Sequence, residues 1–125
     1  MEHRLSEIGQ IAITVSDVNT ALHFYRDVLG LEFLFSPIPN LAFLAAGSIR
    51  IMLSTPQGAG IVGGNSTLYF KVNNLSAAFP EIIARGATSE RGPQLAAKLP
   101  DHDLWIGFIR DPDGNLIGLM EEKTV

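Results

Sequence analysis

The chain has 125 residues, of which 46% are hydrophobic, and a formal net charge of −4, values typical of one globular domain. It contains no cysteine, which excludes disulfides, a thiolate metal ligand and a cysteine nucleophile. It has no basic run and no apolar run near the roughly 20 residues that span a bilayer, so we expect neither nucleic acid nor a membrane as a partner. The start of the chain lacks the apolar stretch of a signal peptide, which predicts a cytoplasmic location.

The first predicted elements are a strand, a helix and a second strand. Apolar and polar residues alternate from Gln10 to Val15, which is the period of a half-buried strand. Ser16 and Asp17 offer side-chain oxygens to the free N–H groups of a helix start, and Gly30 is placed to end that helix. Between them lies one apolar helix face at 3- and 4-residue spacings, made of Val18, Ala21, Leu22, Tyr25, Val28 and Leu29.

Three more strands are predicted to complete this first half of the chain. They lie at about 31–36, 41–46 and 49–54, and Gly47-Ser48 suits the hairpin turn between the last two. Residues 56–64 follow with four glycines, a composition typical of a mobile linker.

The second half repeats the first, with Gln10 and Thr67 standing 57 residues apart. Another alternating strand is followed by the cap residues Asn73 and Asn74. Pro80 lies in the next helix and predicts a distorted first turn or a late start near Ala78. The second apolar helix face consists of Leu75, Ala78, Phe79, Ile82 and Ile83.

The last three strands are predicted within 93–99, at about 104–110 and at about 115–121. The segment Asp111-Pro112-Asp113-Gly114 between the last two has the composition of a hairpin turn, and we prefer that interpretation to a calcium site. The chain is therefore an α+β domain of two βαβββ modules, at about 8–55 and 65–122, joined by the linker at 56–64.

Two segments, IAITVSDVNTALHFYRDVLGLEF and FIRDPDGNLIGLMEE, resemble the vicinal oxygen chelate superfamily, which contains glyoxalase I, extradiol dioxygenases and bleomycin-resistance proteins. The resemblance covers residues 8–122. It implies that the modules form an incomplete eight-stranded, barrel-like cleft with two outer helices, and that the ligand lies inside. It also implies a homodimer. It does not specify the reaction, because one fold hosts many sites.

The resemblance also implies where a metal ion would bind. Metal-dependent members take one ligand each from strands 1, 4, 5 and 8, usually His or Gln, Glu, His and Glu. The matching positions here are Gln10, Met52, Thr67 and Gly118. Only Gln10 offers a suitable oxygen, whereas zinc sites normally need three protein ligands and hard cations prefer carboxylates. We therefore expect no metal and no other cofactor.

The strand faces turned away from the helices are predicted to line the cleft. There, Arg50 and Lys71 beside Tyr69 would suit a ligand with a carboxylate or phenolate, although both cations could instead reach solvent. The predicted lining consists of Gln10, Ala12, Thr14, Arg50, Met52, Ser54, Thr67, Tyr69, Lys71, Leu116, Gly118 and Met120.

Two further residues have open roles. His102, between Asp101 and Asp103, could be a general base or a solvated loop residue. Trp105 could stack on a ligand, pack between subunits or lie in the core.

The sequence thus favours binding of a small, partly aromatic or apolar molecule without a metal, as in the bleomycin-resistance branch. The alternatives are a metal-dependent lyase or dioxygenase of the glyoxalase I or extradiol type, and a metal-free enzyme using His102 or Tyr69. The candidate ligand-binding residues are Gln10, Arg50, Met52, Thr67, Tyr69, His102, Trp105, Gly118 and Met120.

Overall fold

A computed structural model describes residues 4–58 and 60–124 of the protein. The first module forms one four-stranded sheet, sheet A, in the order β1-β4-β3-β2, and the second forms sheet B in the order β5-β8-β7-β6. In each sheet the first two of these strands are parallel and the other pairs are antiparallel. The strands are β1 (Gln10–Thr14), β2 (Glu32–Ile38), β3 (Leu41–Ala46), β4 (Ile49–Ser54), β5 (Leu68–Lys71), β6 (Thr88–Lys98), β7 (His102–Arg110) and β8 (Leu116–Thr124).

The predicted fold class is confirmed: the chain is α+β, with two βαβββ modules and one helix in each. Helix α1 (Val18–Leu22) continues as a π-helical segment (His23–Val28), and helix α2 is Leu75–Ala84. The two sheets do not close into a barrel within the described residues. None of the described helices is both long and apolar enough to cross a membrane.

The first helix starts as the sequence predicts and then departs from α geometry. Asp17 caps it, because its Oδ2 atom accepts the Thr20 backbone N–H at 2.8 Å. The π-helical segment has a wider turn than an α-helix, and here both Phe24 and Tyr25 are buried, with ring centroids 5.1 Å apart. The 3- and 4-residue spacing identified Tyr25 as a core residue and missed Phe24.

The second helix begins at Leu75, five residues before Pro80, so the predicted start near Ala78 is wrong. One carboxamide oxygen and one carboxylate oxygen stabilise this start. Asn74 Oδ1 accepts the Ala77 N–H at 3.4 Å, and Glu121 Oε1 from strand β8 accepts the Leu75 N–H at 3.0 Å. These acceptors satisfy N–H groups that have no partner within the helix.

One buried cluster joins both helices to the helix-facing sides of both sheets. Its most deeply buried members come from both modules, so each module contributes to the same core. They include Val15, Tyr25, Leu44, Ile51, Leu53, Leu75, Ile109, Ile117 and Leu119.

A buried polar network also links the modules, and it is centred on Asp111 in the turn between β7 and β8. Its Oδ2 accepts the Tyr25 hydroxyl at 2.7 Å and the Asn115 Nδ2 at 2.8 Å. Asn65 extends the network from Asn115 to the backbone of Thr14 on strand β1. The turn predicted from composition is therefore also a junction between the two modules.

Through Tyr25, this junction makes the stability of the protein depend on pH in the alkaline range. Burial, followed by the charge of Asp111 and the hydrogen bond to it, raises the pKa of Tyr25 far above its usual value of about 10. Above about pH 10 the unfolded chain releases the Tyr25 proton that the native state keeps. In that range, the free energy of unfolding of the wild type should fall by about 1.4 kcal/mol more per pH unit than that of Tyr25→Phe.

Urea denaturation of both proteins between about pH 9 and about pH 11.5 measures this difference. Tyr69→Phe is the matched control for the loss of a tyrosine hydroxyl, because Tyr69 is 49% exposed. Parallel stability profiles for the wild type and Tyr25→Phe would contradict the prediction.

Candidate functional site

The side of each sheet turned away from the helices is its open face, and the two open faces carry matching rows of side chains. Across sheet A, directly paired residues run Ala12–Met52–Phe43–Phe35. Across sheet B the corresponding row is Tyr69–Gly118–Phe108–Arg91. The rows correspond because Ala12 and Tyr69 occupy the same position of the 57-residue repeat and start parallel strand pairs of the same kind.

On sheet A the open face is aromatic and carries one cation. Phe35 and Phe43 stack with ring centroids 4.7 Å apart. The Arg50 guanidinium carbon lies 5.5 Å from the centre of the Phe43 ring, within range of a cation–π interaction. Gln10 Nε2 lies 3.6 Å from the Met52 sulfur and donates to it.

On sheet B the Tyr69 ring lies directly over Gly118. A Cβ atom added at Gly118 would come within 2.6 Å of Tyr69 Cε2, so a side chain there requires the ring to move. Tyr69 meets Phe108 edge to face at 5.8 Å, and the Arg91 guanidinium carbon lies 5.2 Å from the centre of the Phe108 ring.

The four positions that correspond to metal ligands do not fit a divalent cation. Gln10 and Met52 supply one neutral amide and one soft thioether, and the tyrosine ring occupies the space above Gly118. Thr67 lies one residue before strand β5 and is exposed. Such a set lacks the carboxylates and imidazole that hold a catalytic dication. Within the described part of the chain, no group of three or more His, Cys, Asp or Glu side chains is placed to bind a metal.

A polar cluster lies at the end of the open face of sheet B, around His102. The His102 Nδ1 atom is 2.8 Å from an Asp101 oxygen, and its Nε2 atom is 3.6 Å from a Glu122 oxygen. Glu122 also pairs with Lys71 at 3.0 Å, so Lys71 has a carboxylate partner. The hydrogen bond from His102 lowers the pKa of Asp101.

The structure separates the predicted ligand-binding residues into four groups. Gln10, Arg50 and Met52 share the open face of sheet A, and Tyr69, His102, Gly118 and Met120 share that of sheet B. Thr67 lies at the edge of sheet B. Trp105 points to the opposite side of sheet B, where it lines a cavity of about 350 Å³ beneath helix α2 with residues that include Phe79, Pro80 and Lys123.

The sequence interpretation missed four residues of these rows: Phe35, Phe43, Phe108 and Arg91. Arg91 belongs to strand β6, which extends over Thr88–Lys98 and not only within 93–99 as predicted. Phe43 and Phe108 could have been assigned to the open faces from the alternation of β3 and β7, once the partner strands were known.

Each open face carries large apolar side chains that are accessible to solvent in the single chain. Phe35 is 46% exposed and Tyr69 is 49% exposed, although large apolar side chains on a sheet normally pack against another layer. Four cavities of about 270 to 470 Å³ can be described, and none of these four is lined by both open faces.

The sequence matches the profile of the Glyoxalase/Bleomycin resistance protein/Dioxygenase superfamily over residues 7–119. It is 29% identical to virulence protein STM3117 of Salmonella typhimurium over 94% of this chain and 85% of that protein. The crystal structure of STM3117 superposes with a TM-score of 0.77 at 27% identity, covering 95% of this chain and 98% of that one.

Two further solved structures share the fold. TnmS3, an antibiotic binding protein from Streptomyces sp. CB03234, has a TM-score of 0.77 at 22% identity, covering 95% of this chain and 98% of that one. Lactoylglutathione lyase from Agrobacterium tumefaciens has a TM-score of 0.74 at 24% identity, covering 94% of each chain. The profile match spans most of the sequence, and the chain therefore belongs to the Glyoxalase/Bleomycin resistance protein/Dioxygenase superfamily.

Proposed function

We propose that this protein binds a small, partly aromatic or apolar molecule on its open faces without a metal and thereby sequesters it. The observation that carries the proposal is the Tyr69 ring over Gly118, which places an aromatic surface where a metal-dependent relative has a ligand side chain. Phe35 and Phe43 supply a second aromatic surface. Apolar walls with a few polar anchors are the usual lining of small-molecule sites.

The named structures of this fold include both a binding protein and a lyase, so the fold does not select between these functions. The donor set is what favours binding in this chain. A lyase or dioxygenase that activates its substrate through a dication needs ligands that Met52 and Gly118 do not supply. Binding needs only a complementary surface. A cytoplasmic location, as expected from the sequence, is part of the proposal.

A second copy of the chain is the proposed protein partner. The open faces expose Phe35, Ile38 and Tyr69 by 46%, 51% and 49%. A dimer that brings the open face of sheet A in one copy against that of sheet B in the other would cover these side chains and form a cleft. The ligand would then lie between two aromatic walls.

Filling the open face of sheet A tests the binding function. Ala12 is exposed, and it pairs with Met52 at the start of the row that continues to Phe43 and Phe35. Ala12→Trp is expected to weaken binding of any ligand there by about tenfold or more, because the indole occupies the space above Met52 and adds no group to the core.

The ligand for this test comes from a thermal-shift screen of flat aromatic compounds on metal-free protein, since a bound ligand raises the melting temperature. Calorimetry then compares the wild type with Ala12→Trp. Ala77→Trp is the matched control, because Ala77 is exposed on helix α2, and it should bind like the wild type. Equal binding by both variants would place the ligand elsewhere.

Metal content, measured by mass spectrometry on protein purified without chelator, separates binding from the metal-dependent alternative. One nickel, zinc, manganese or iron ion per chain, together with lyase or dioxygenase activity, would overturn the proposal.

A second candidate function is a metal-free enzyme, favoured by the contacts of His102 with Asp101 and Glu122. An imidazole held by a carboxylate can act as a general base, and turnover abolished by His102→Gln would support it.

A further inference from the structure

We infer that the ligand is a flat apolar molecule with a negatively charged group, and that the guanidinium groups of Arg50 and Arg91 bind this group. The inference rests on the binding function and on the dimer proposed above, in which the open face of sheet A in one copy meets that of sheet B in the other, and it specifies the chemical class of the ligand. It comes from two cation–aromatic pairs, one on each open face, that have corresponding places in the two modules.

The correspondence follows from strand pairing. Phe43 pairs directly with Met52, and Phe108 pairs directly with Gly118, so the two phenylalanines occupy the same place in their sheets. Each ring carries a guanidinium, from Arg50 on β4 and from Arg91 on β6. The two arginines come from different strands of their modules, yet each lies over the equivalent ring.

Within the described residues neither arginine has a carboxylate partner, unlike other cations on the open faces. Lys71 pairs with Glu122 at 3.0 Å, and Arg110 pairs with Glu90 at 3.0 Å. Among residues 4–58 and 60–124, no carboxylate oxygen lies within 4.0 Å of the guanidinium of Arg50 or Arg91.

Two acidic residues near these arginines in the sheet do not pair with them. Glu32 belongs to the same cross-strand row as Arg50 but lies two strands away, beyond Ala45. Glu90 precedes Arg91 in sequence, and its carboxylate is held by Arg110. As far as the described residues show, the two guanidinium groups are therefore free to bind an anion, in a chain whose net charge is −4.

The phenylalanines explain how these exposed arginines would be held in place. A guanidinium resting on an aromatic ring keeps its N–H groups at the edge of the plane available for a carboxylate, phenolate or sulfonate. The rings and their neighbours then contact the apolar part of the ligand. The Arg91 pair also borders a depression of about 270 Å³ lined by Glu90, Arg91, Phe108, Arg110 and Leu116.

Two fluorescent probes with one aromatic skeleton test the inference. 1-Anilinonaphthalene-8-sulfonate carries a sulfonate, and N-phenyl-1-naphthylamine lacks it. The wild-type protein is expected to bind the sulfonate about tenfold more tightly. Arg50→Met and Arg91→Met should each weaken sulfonate binding by about fivefold and leave binding of the neutral probe unchanged.

Arg26→Met is the control for loss of one positive charge, because Arg26 lies on the first helix and pairs with Asp27. It should bind both probes like the wild type. Arg50→Lys and Arg91→Lys keep the charge without the planar fork and should lose less affinity than the methionine variants. Thermal melting of every variant shows whether it is folded, and the lysine variants replace any methionine variant that is not.

The outcomes separate this inference from the proposed function. Equal affinity of the wild type for both probes, or methionine variants that keep the sulfonate preference, would overturn the inference and leave apolar binding intact. A loss in one methionine variant only would overturn the role of the other arginine. If neither probe binds the wild-type protein, the binding function itself is contradicted.

Discussion

Asp111→Ala is expected to lower the free energy of unfolding by about 3 to 5 kcal/mol, which would be among the largest effects of any single substitution in this chain. The Asp111 carboxylate is 5% exposed. It accepts four hydrogen bonds, from the Tyr25 hydroxyl, Asn115 Nδ2 and the backbone N–H groups of Asp113 and Asn115, at 2.7 to 3.0 Å. Alanine would leave these donors without an acceptor, and a buried donor without an acceptor is costly.

Chemical denaturation measures this loss as a lower midpoint with an unchanged dependence on denaturant. Tyr25→Phe removes only one of the four bonds and is expected to cost about 1 to 2 kcal/mol. Asp101→Ala is the control at an exposed carboxylate, where the side chain is 85% exposed, and a change below about 0.5 kcal/mol is expected. A stability for Asp111→Ala within about 1 kcal/mol of the wild type would contradict a structural role for the junction.

The sequence was sufficient to identify Asp111 as a turn residue and insufficient to identify its partner. The composition of the segment indicates a hairpin turn, and the bonds to Asp113 and Asn115 agree with that. Tyr25, however, lies 86 residues earlier. Nothing in local turn chemistry indicates a distant hydroxyl, and the apolar spacing of helix α1 is equally consistent with a tyrosine that is merely buried.

The repeat was the most informative signal for the fold. It predicted both modules, both caps and most strands, because alternation and helical spacing depend on burial against one core. Strand β6 gave a weak signal since most of its residues are exposed at a sheet edge. The sequence therefore missed Arg91, which the structure pairs with Phe108.

The sequence indicated where the candidate residues lie along the strands more clearly than why those residue types occur there. Motif position identified Gly118 as a place without a ligand side chain, but the reason for glycine is visible only in the structure. The Tyr69 ring fills that space, and this contact depends on the register between β5 and β8. Trp105 could not be assigned to a face from the sequence. Its position beneath helix α2 follows from the register of β7, which only the structure gives.

The protein is expected to be a dimer at micromolar concentration, and Phe35→Glu combined with Ile38→Glu is expected to make it a monomer. All seven residues of strand β2 are exposed in the single chain, and a long exposed edge strand with apolar side chains is normally covered. Burying two unpaired carboxylates costs several kcal/mol, which corresponds to a dissociation constant raised by about a thousandfold or more.

Light scattering and sedimentation velocity measure the change in mass. Asn19→Glu combined with Ala84→Glu adds the same two charges at exposed positions on the helices and should leave the dimer intact. A monomeric wild-type protein, or equal dissociation of both double variants, would contradict the role of β2. If the second copy also completes the ligand cleft, ligand binding and dimer formation are thermodynamically linked. Ligand affinity would then fall together with dimer affinity, whereas a dimer formed away from the cleft would leave ligand affinity unchanged.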